Sequence, residues 1–272
     1  MAQPTTIPIA GSKYAIIDAD THLTEPHDLW VSRAPASIRD KVPQVREVEG
    51  VPSWIFNGDT VIGKGANPAS AVLADGGKAR SFTQFTQLSI GDVHPGASRV
   101  KERLEYMDAN GVWAQIAYPN LLGFSGTNTA RIDPELRLVT MQIFNDAMAE
   151  LQAESGNRIC PMALLPWWDP QDAATEMERI IGLGLKGINI NPTPYLHKGK
   201  DGQQLPGLGH AFWDPLWDLC EATRMPINFH IGSSDATMDW LGSHGWPELN
   251  LDQRWAIGGA CFSSRTRNQS AT

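Results

Sequence analysis

The sequence predicts an α/β fold, built as one large domain or a barrel of parallel strands. Three observations carry this. The chain has 272 residues, long for one ordinary domain and short for two. Apolar, strand-like runs alternate with helix-length segments in βαβα order. Each of five strand candidates also leaves polar residues at its C-terminal end, where parallel α/β folds carry their chemistry.

The first strand is expected over residues 14–22, where Tyr-Ala-Ile-Ile gives way to Asp18, Asp20 and His22. Residues 25–96 change character, with prolines at 26, 35, 43, 52, 68 and 95 and no long helical period. This stretch reads as a cap or excursion, with one hairpin over 44–62 turning at Asn57-Gly58. A helix over 97–110 follows, with Val100, Leu104 and Met107 on one face and a stop at Gly111, then a strand over 112–118. Asp133-Pro134 opens a helix that stops at Gly156, because an acidic cap followed by proline suits a first turn. A strand over 158–167, a helix from Asp169-Pro170 to about Gly184 and a strand over 185–191 come next. A helix over 211–224 then leads into a strand over 226–231 that delivers His230. Gly182, Gly184 and Gly187 spell a dinucleotide-type glycine motif, but they end a helix and precede a strand, the reverse of the order that brings a pyrophosphate to a helix N-terminus.

Composition narrows the function classes. Hydrophobic residues at 42% exclude a disordered acidic chain, and no apolar run approaches the roughly 18 residues of a spanning helix. A net charge of −8 argues against a phosphate-binding surface, so neither nucleic acid nor membrane is expected as a partner. The N-terminal residues lack the basic and apolar regions of a secretion signal, which makes a cytoplasmic location the expectation. Cys160, Cys220 and Cys261 form no CxxC pair and read as reduced thiols.

The chemistry-bearing segment is Asp18-Ala-Asp20-Thr-His22. Strict strand alternation would put residues 18, 20 and 22 on one face, converging two carboxylates and an imidazole. A divalent cation would offset the cost of burying such groups, whereas the alternative is a solvent-facing turn cap. His230, at the end of an apolar run, is placed for the same C-terminal face, with a hydrogen-bonded core histidine as the alternative.

The stretch Ile17-Asp-Ala-Asp-Thr-His-Leu-Thr-Glu-Pro26, with Asp28-Leu-Trp30, Arg99 to Asp108, Gly111-Val112 and Phe229-His230, resembles the amidohydrolase-related family. The branch it is most similar to contains the aminocarboxymuconate-semialdehyde decarboxylase and aromatic-acid decarboxylases. The resemblance covers about 14–259 and implies a TIM-type (β/α)8 barrel of the metal-dependent hydrolase superfamily, with one divalent ion, zinc or manganese. It implies Asp20, His22 and His230 as metal ligands, Asp18 as a carboxylate orienting a ligand, and Glu25 as a loop residue over the metal, in reach of substrate or facing solvent. The implied activity is decarboxylation of an aromatic or conjugated acid, a small-molecule carboxylate. Hydrolysis of a lactone, ester or amide is the alternative, and a homo-oligomer stays open.

The chain also departs from that pattern. The family's further histidine after strand six and its Asp after strand eight have no counterpart: beyond His230 there is one more histidine, His244, and beyond Asp252 no acidic residue. Residues 261–272 read as a frayed tail. Without the lead and excursion about 190 residues remain, enough for about six βα units. One barrel domain over 1–272, incomplete at about five strands, is therefore expected. A barrel stopped there would leave two bare edges and uncovered side chains such as Ile16 and Phe229, so an inactive, self-associating fragment is the third reading.

Overall fold

Strand β1 (Ile16–His22) begins the computed structural model, which describes residues 15–230 apart from 69, 82, 83, 86 and 125. After it comes a three-stranded antiparallel sheet, β2 (Gln44–Val48), β3 (Val51–Phe56) and β4 (Thr60–Lys64). The single hairpin expected over 44–62 is thus corrected to a meander with two turns. Asn57 and Gly58 take positive φ as expected, and so do Glu49 and Gly50, which form the turn between β2 and β3. Trp30 is fully buried, and its indole nitrogen donates to the Thr140 carbonyl at 2.9 Å, pinning this excursion to the helical layer.

Helix α1 (Val100–Ala109) buries Val100, Arg103 and Met107, one stripe at helical spacing, and the chain leaves it through Gly111 at φ +68° into β5 (Val112–Tyr118). Helix α2 (Pro134–Glu154) starts with its proline as expected, but the Asp133 side chain does not cap it; the Asp133 amide donates to Asn57 instead. The strand expected over 158–167 is two short pieces, β6 (Ile159–Pro161) and β7 (Ala163–Leu164). The strand changes neighbours at Met162: the Met162 amide donates to Ala117 at 2.8 Å, while the Ala163 amide turns to Gly187 at 3.0 Å. Leu164 is held from the helical layer. The Asn145 side chain of α2 accepts from its amide at 3.0 Å and donates to its carbonyl at 2.9 Å.

Helix α3 (Pro170–Gly182) is capped by the Asp169 carboxylate, which accepts from the Asp172 amide at 2.8 Å. It ends at the glycine motif, with Gly184 at φ +88°, and β8 (Ile188–Asn189) follows, so the motif closes a helix as its order predicts. Helix α4 (Asp214–Thr223) ends on Arg224 in the left-handed region and leads to β9 (Ile227–Asn228). Parallel pairing runs β1–β5–β6 and β7–β8–β9, which gives five barrel strands among the described residues. Their core includes Ile159, Ala163, Leu164, Leu165, Ile188 and Ile190, all nearly inaccessible. Ile16 and Phe229 are 40% and 52% exposed. No helix of the described residues is long and apolar enough to cross a membrane. His244, Cys261 and the tail expected over 261–272 lie outside the described residues.

Candidate metal centre

The ends of β1 and β9 meet. One His230 ring nitrogen, Nε2, lies 3.1 Å from Asp20 Oδ1, and His22 Nε2 lies 4.0 Å from the same oxygen. The three donor atoms fall within 4.8 Å of one another. Ligands of one ion at about 2.0–2.2 Å are themselves about 3–4 Å apart, so this oxygen and these two nitrogens fit a divalent cation with positions left open for water or substrate.

The imidazoles are oriented by their surroundings. His22 Nδ1 donates to the Pro119 carbonyl at 3.4 Å, which places its proton there and turns the Nε2 lone pair toward Asp20. Burial, and secondly the neighbouring His230, push the His22 pKa down, so the ring is neutral at pH 7. Phe124 lies with its ring centroid 4.3 Å from that of His22 and 4.5 Å from that of His230. Its loop is bracketed by Gly123 and Gly126, both at positive φ. The Tyr118 ring lies 4.7 Å from that of His230, and its hydroxyl donates to Asn228 at 3.3 Å. Burial, and then the Asp20 charge, raise the Tyr118 pKa and keep that hydroxyl protonated.

Asp18 stays outside the three-donor cluster of Asp20, His22 and His230. The register of β1 on β5 shifts between Asp18 and Thr21, where Asp18 faces Gln115 and Thr21 faces Ala117, so β1 carries one extra residue there. The alternation expected over 18, 20 and 22 is broken by this bulge, and Asp18 finds its partners within β1 and β5. Its carboxylate accepts from Gln115 Nε2 at 3.0 Å and from the Asp20 amide at 3.2 Å.

Glu25 is 2% exposed, which excludes the solvent-facing alternative. Its carboxylate accepts from the amides of Asn120 and Leu121 at 2.8 and 3.0 Å. Burial outweighs these amide bonds and raises its pKa to about 7. Asp18, Asp20 and His22 also line a cavity of about 340 Å³ with Arg103, Tyr106 and Gln115. Sequence reasoning missed Phe124, Tyr118 and Arg103. For Arg103 a signal existed, an arginine in the apolar stripe between Val100 and Met107.

Residues 17–256 match the sequence profile of the amidohydrolase family. An amidohydrolase from Mycobacterium avium subsp. paratuberculosis K-10 is 19% identical, with 81% of this chain and 60% of that one covered at a TM-score of 0.61. A 5-carboxyvanillate decarboxylase from Novosphingobium aromaticivorans DSM 12444, solved with manganese and 4-hydroxy-3-methoxy-5-nitrobenzoic acid, is 18% identical, with 88% and 56% covered at a TM-score of 0.50. A 2,6-dihydroxybenzoate decarboxylase from Rhizobium is 18% identical, with 89% and 59% covered at a TM-score of 0.46. The chain thus spans at most 60% of the length of these proteins. No curated protein matches the chain.

Proposed function

The chain belongs to the amidohydrolase family, with its TIM-type barrel fold, and from that premise we propose that it is a metal-dependent carboxy-lyase acting on an aromatic carboxylic acid. The observation that supports this reading best is the convergence of Asp20 and His22 with His230, residues as much as 210 positions apart. We assign these three side chains as ligands of one zinc or manganese ion. When bound, the ion supplies Lewis-acid stabilisation of negative charge on substrate oxygens. The chain's own residues supply the rest. His22 stays neutral through burial and offers Nε2 because Pro119 holds its proton on Nδ1. Phe124 and Tyr118 put aromatic walls beside both imidazoles, which suits a flat ring and excludes water from the carbon that loses its carboxylate. The Tyr118 hydroxyl gives its one proton to Asn228 Oδ1, which fixes the ring beside His230. Asp18 and Glu25 act on the backbone that carries the site, Asp18 through the Asp20 amide and Glu25 through the loop that follows β5.

Lactone, ester or amide hydrolysis uses the same kind of donor set, and the products separate the two reactions. The chain loaded with manganese or zinc is expected to release carbon dioxide from a hydroxybenzoate-type acid and to leave aryl lactones intact, measured by headspace carbon dioxide and chromatography of the organic product. Turnover of lactones without carbon dioxide release would reject the lyase assignment.

A further inference from the structure

We propose that Arg103 is the positioning residue of this centre, its guanidinium holding the bulged end of β1 that carries Asp20 and His22. The inference rests on the metal-centre reading and adds a residue that touches neither ion nor substrate.

A bulge frees backbone groups from the ladder, and these need other partners. In β1 they find side chains. The Asp20 amide, inside the bulge, donates to Asp18, and just past the bulge the His22 carbonyl accepts from Arg103 Nη2 at 3.1 Å. The same Nη2 donates to Thr21 Oγ1 at 2.8 Å, Nη1 to the Gly96 carbonyl at 3.1 Å, and Nε to Gln115 Oε1 at 2.7 Å. Gln115 passes its amide on to Asp18. One planar cation, 7% exposed, therefore ties β1, β5 and the loop before α1 into a single arrangement. That loop can approach because residue 96 is glycine. A Cβ there would come 3.0 Å from the Arg103 Cα and from His94 Nδ1. A lysine has the charge but not the fixed fork of donors, so the identity of the residue matters as well as its sign.

The test uses the full chain and reads metal affinity, by competition with a chromophoric chelator, together with the visible spectrum of the cobalt-loaded protein. Arg103→Met is expected to weaken affinity by about 10–100-fold, the range for residues that orient ligands, and to shift the cobalt bands. Arg103→Lys is expected to recover only part of that affinity. Arg179→Met, which removes the same charge from α3, is expected to bind like the wild type. Thr21→Val deletes one acceptor at little change in shape and is expected to weaken affinity several-fold, which keeps the proposal testable if Arg103→Met does not fold. A folded Arg103→Met with wild-type affinity and spectrum, an Arg103→Lys equal to wild type, or an unaffected Thr21→Val overturns the positioning role alone. A wild-type chain that binds no divalent ion overturns the metal centre, and this role with it.

Discussion

Replacing His230 by alanine is expected to lower the affinity of the chain for zinc or manganese about a hundredfold. Four-ligand zinc sites bind with about 10–16 kcal/mol, so one ligand carries about 3 kcal/mol, and each 1.4 kcal/mol is tenfold in affinity. The loss is concentrated at His230 because the remaining donors, Asp20 and His22, come from one strand and hold an ion from one side only. The Asp20 side chain is 69% exposed, so its oxygen gains little from a screened ion pair and most from a shared cation. His210→Ala is the control. That imidazole accepts from the Phe212 amide at the start of a short helical turn, outside the three-donor cluster. Titration of both variants with zinc in a competing chelator measures the difference. Equal affinities in the two variants would place the ion elsewhere.

The second large effect concerns Glu25 and the pH dependence of stability. Its carboxyl has a pKa raised to about 7 by burial, against 4.5 for an ordinary glutamate. Below pH 4.5 the group is protonated in folded and unfolded chains alike, and its contribution is fully present. Between pH 4.5 and 7 the unfolded chain releases a proton that the folded chain keeps, so stability falls as pH rises. Above the folded value the contribution is lost. The span corresponds to about 3 kcal/mol at 1.36 kcal/mol per pKa unit. Glu25→Gln keeps an oxygen for the amides of Asn120 and Leu121 and has no proton to lose. It is expected to remove this slope and to be more stable than the wild type at pH 8. Glu25→Ala leaves those amides bare, at about 1–3 kcal/mol for each buried group, at every pH. Urea unfolding midpoints of the wild type and Glu25→Gln from pH 4.5 to 8 read the difference directly, and parallel profiles would refute it.

The sequence read as strands and helices where one physical signal dominates. β5 matches its expected bounds because an apolar run lies between Gly111 and the Pro119-Asn120 turn. α3 matches at its start because Asp169-Pro170 supplies both cap and fixed φ. His230 could be placed because it ends an apolar run. The bulge in β1 left no such mark. Asp-Ala-Asp-Thr-His alternates polar and small residues perfectly, and the side chains that bond to the bulged stretch, Gln115 and Arg103, lie more than 80 positions away. The sequence leaves Glu25 open between a substrate loop and solvent for a similar reason. A glutamate beside a proline reads as surface loop, and its amide partners belong to a turn that the fold brings to it only after β1 and β5 have paired. The Glu49-Gly50 turn escaped notice because the stretch around it alternates in the manner of one longer strand.

The change of neighbours at Met162 separates what successive amides report in hydrogen exchange. In an ordinary ladder, adjacent protected amides open when the same pair of strands parts. Here the Met162 amide is covered by β5 and the Ala163 amide by the residue preceding β8, while the Leu164 amide is covered by the Asn145 carboxamide from α2. The first exchanges when β6 lifts from β5, the second when β8 leaves β7, and the third when α2 undocks from the sheet. Three consecutive residues thus record three distinct opening events, at one point in the chain where the two halves of the described barrel join.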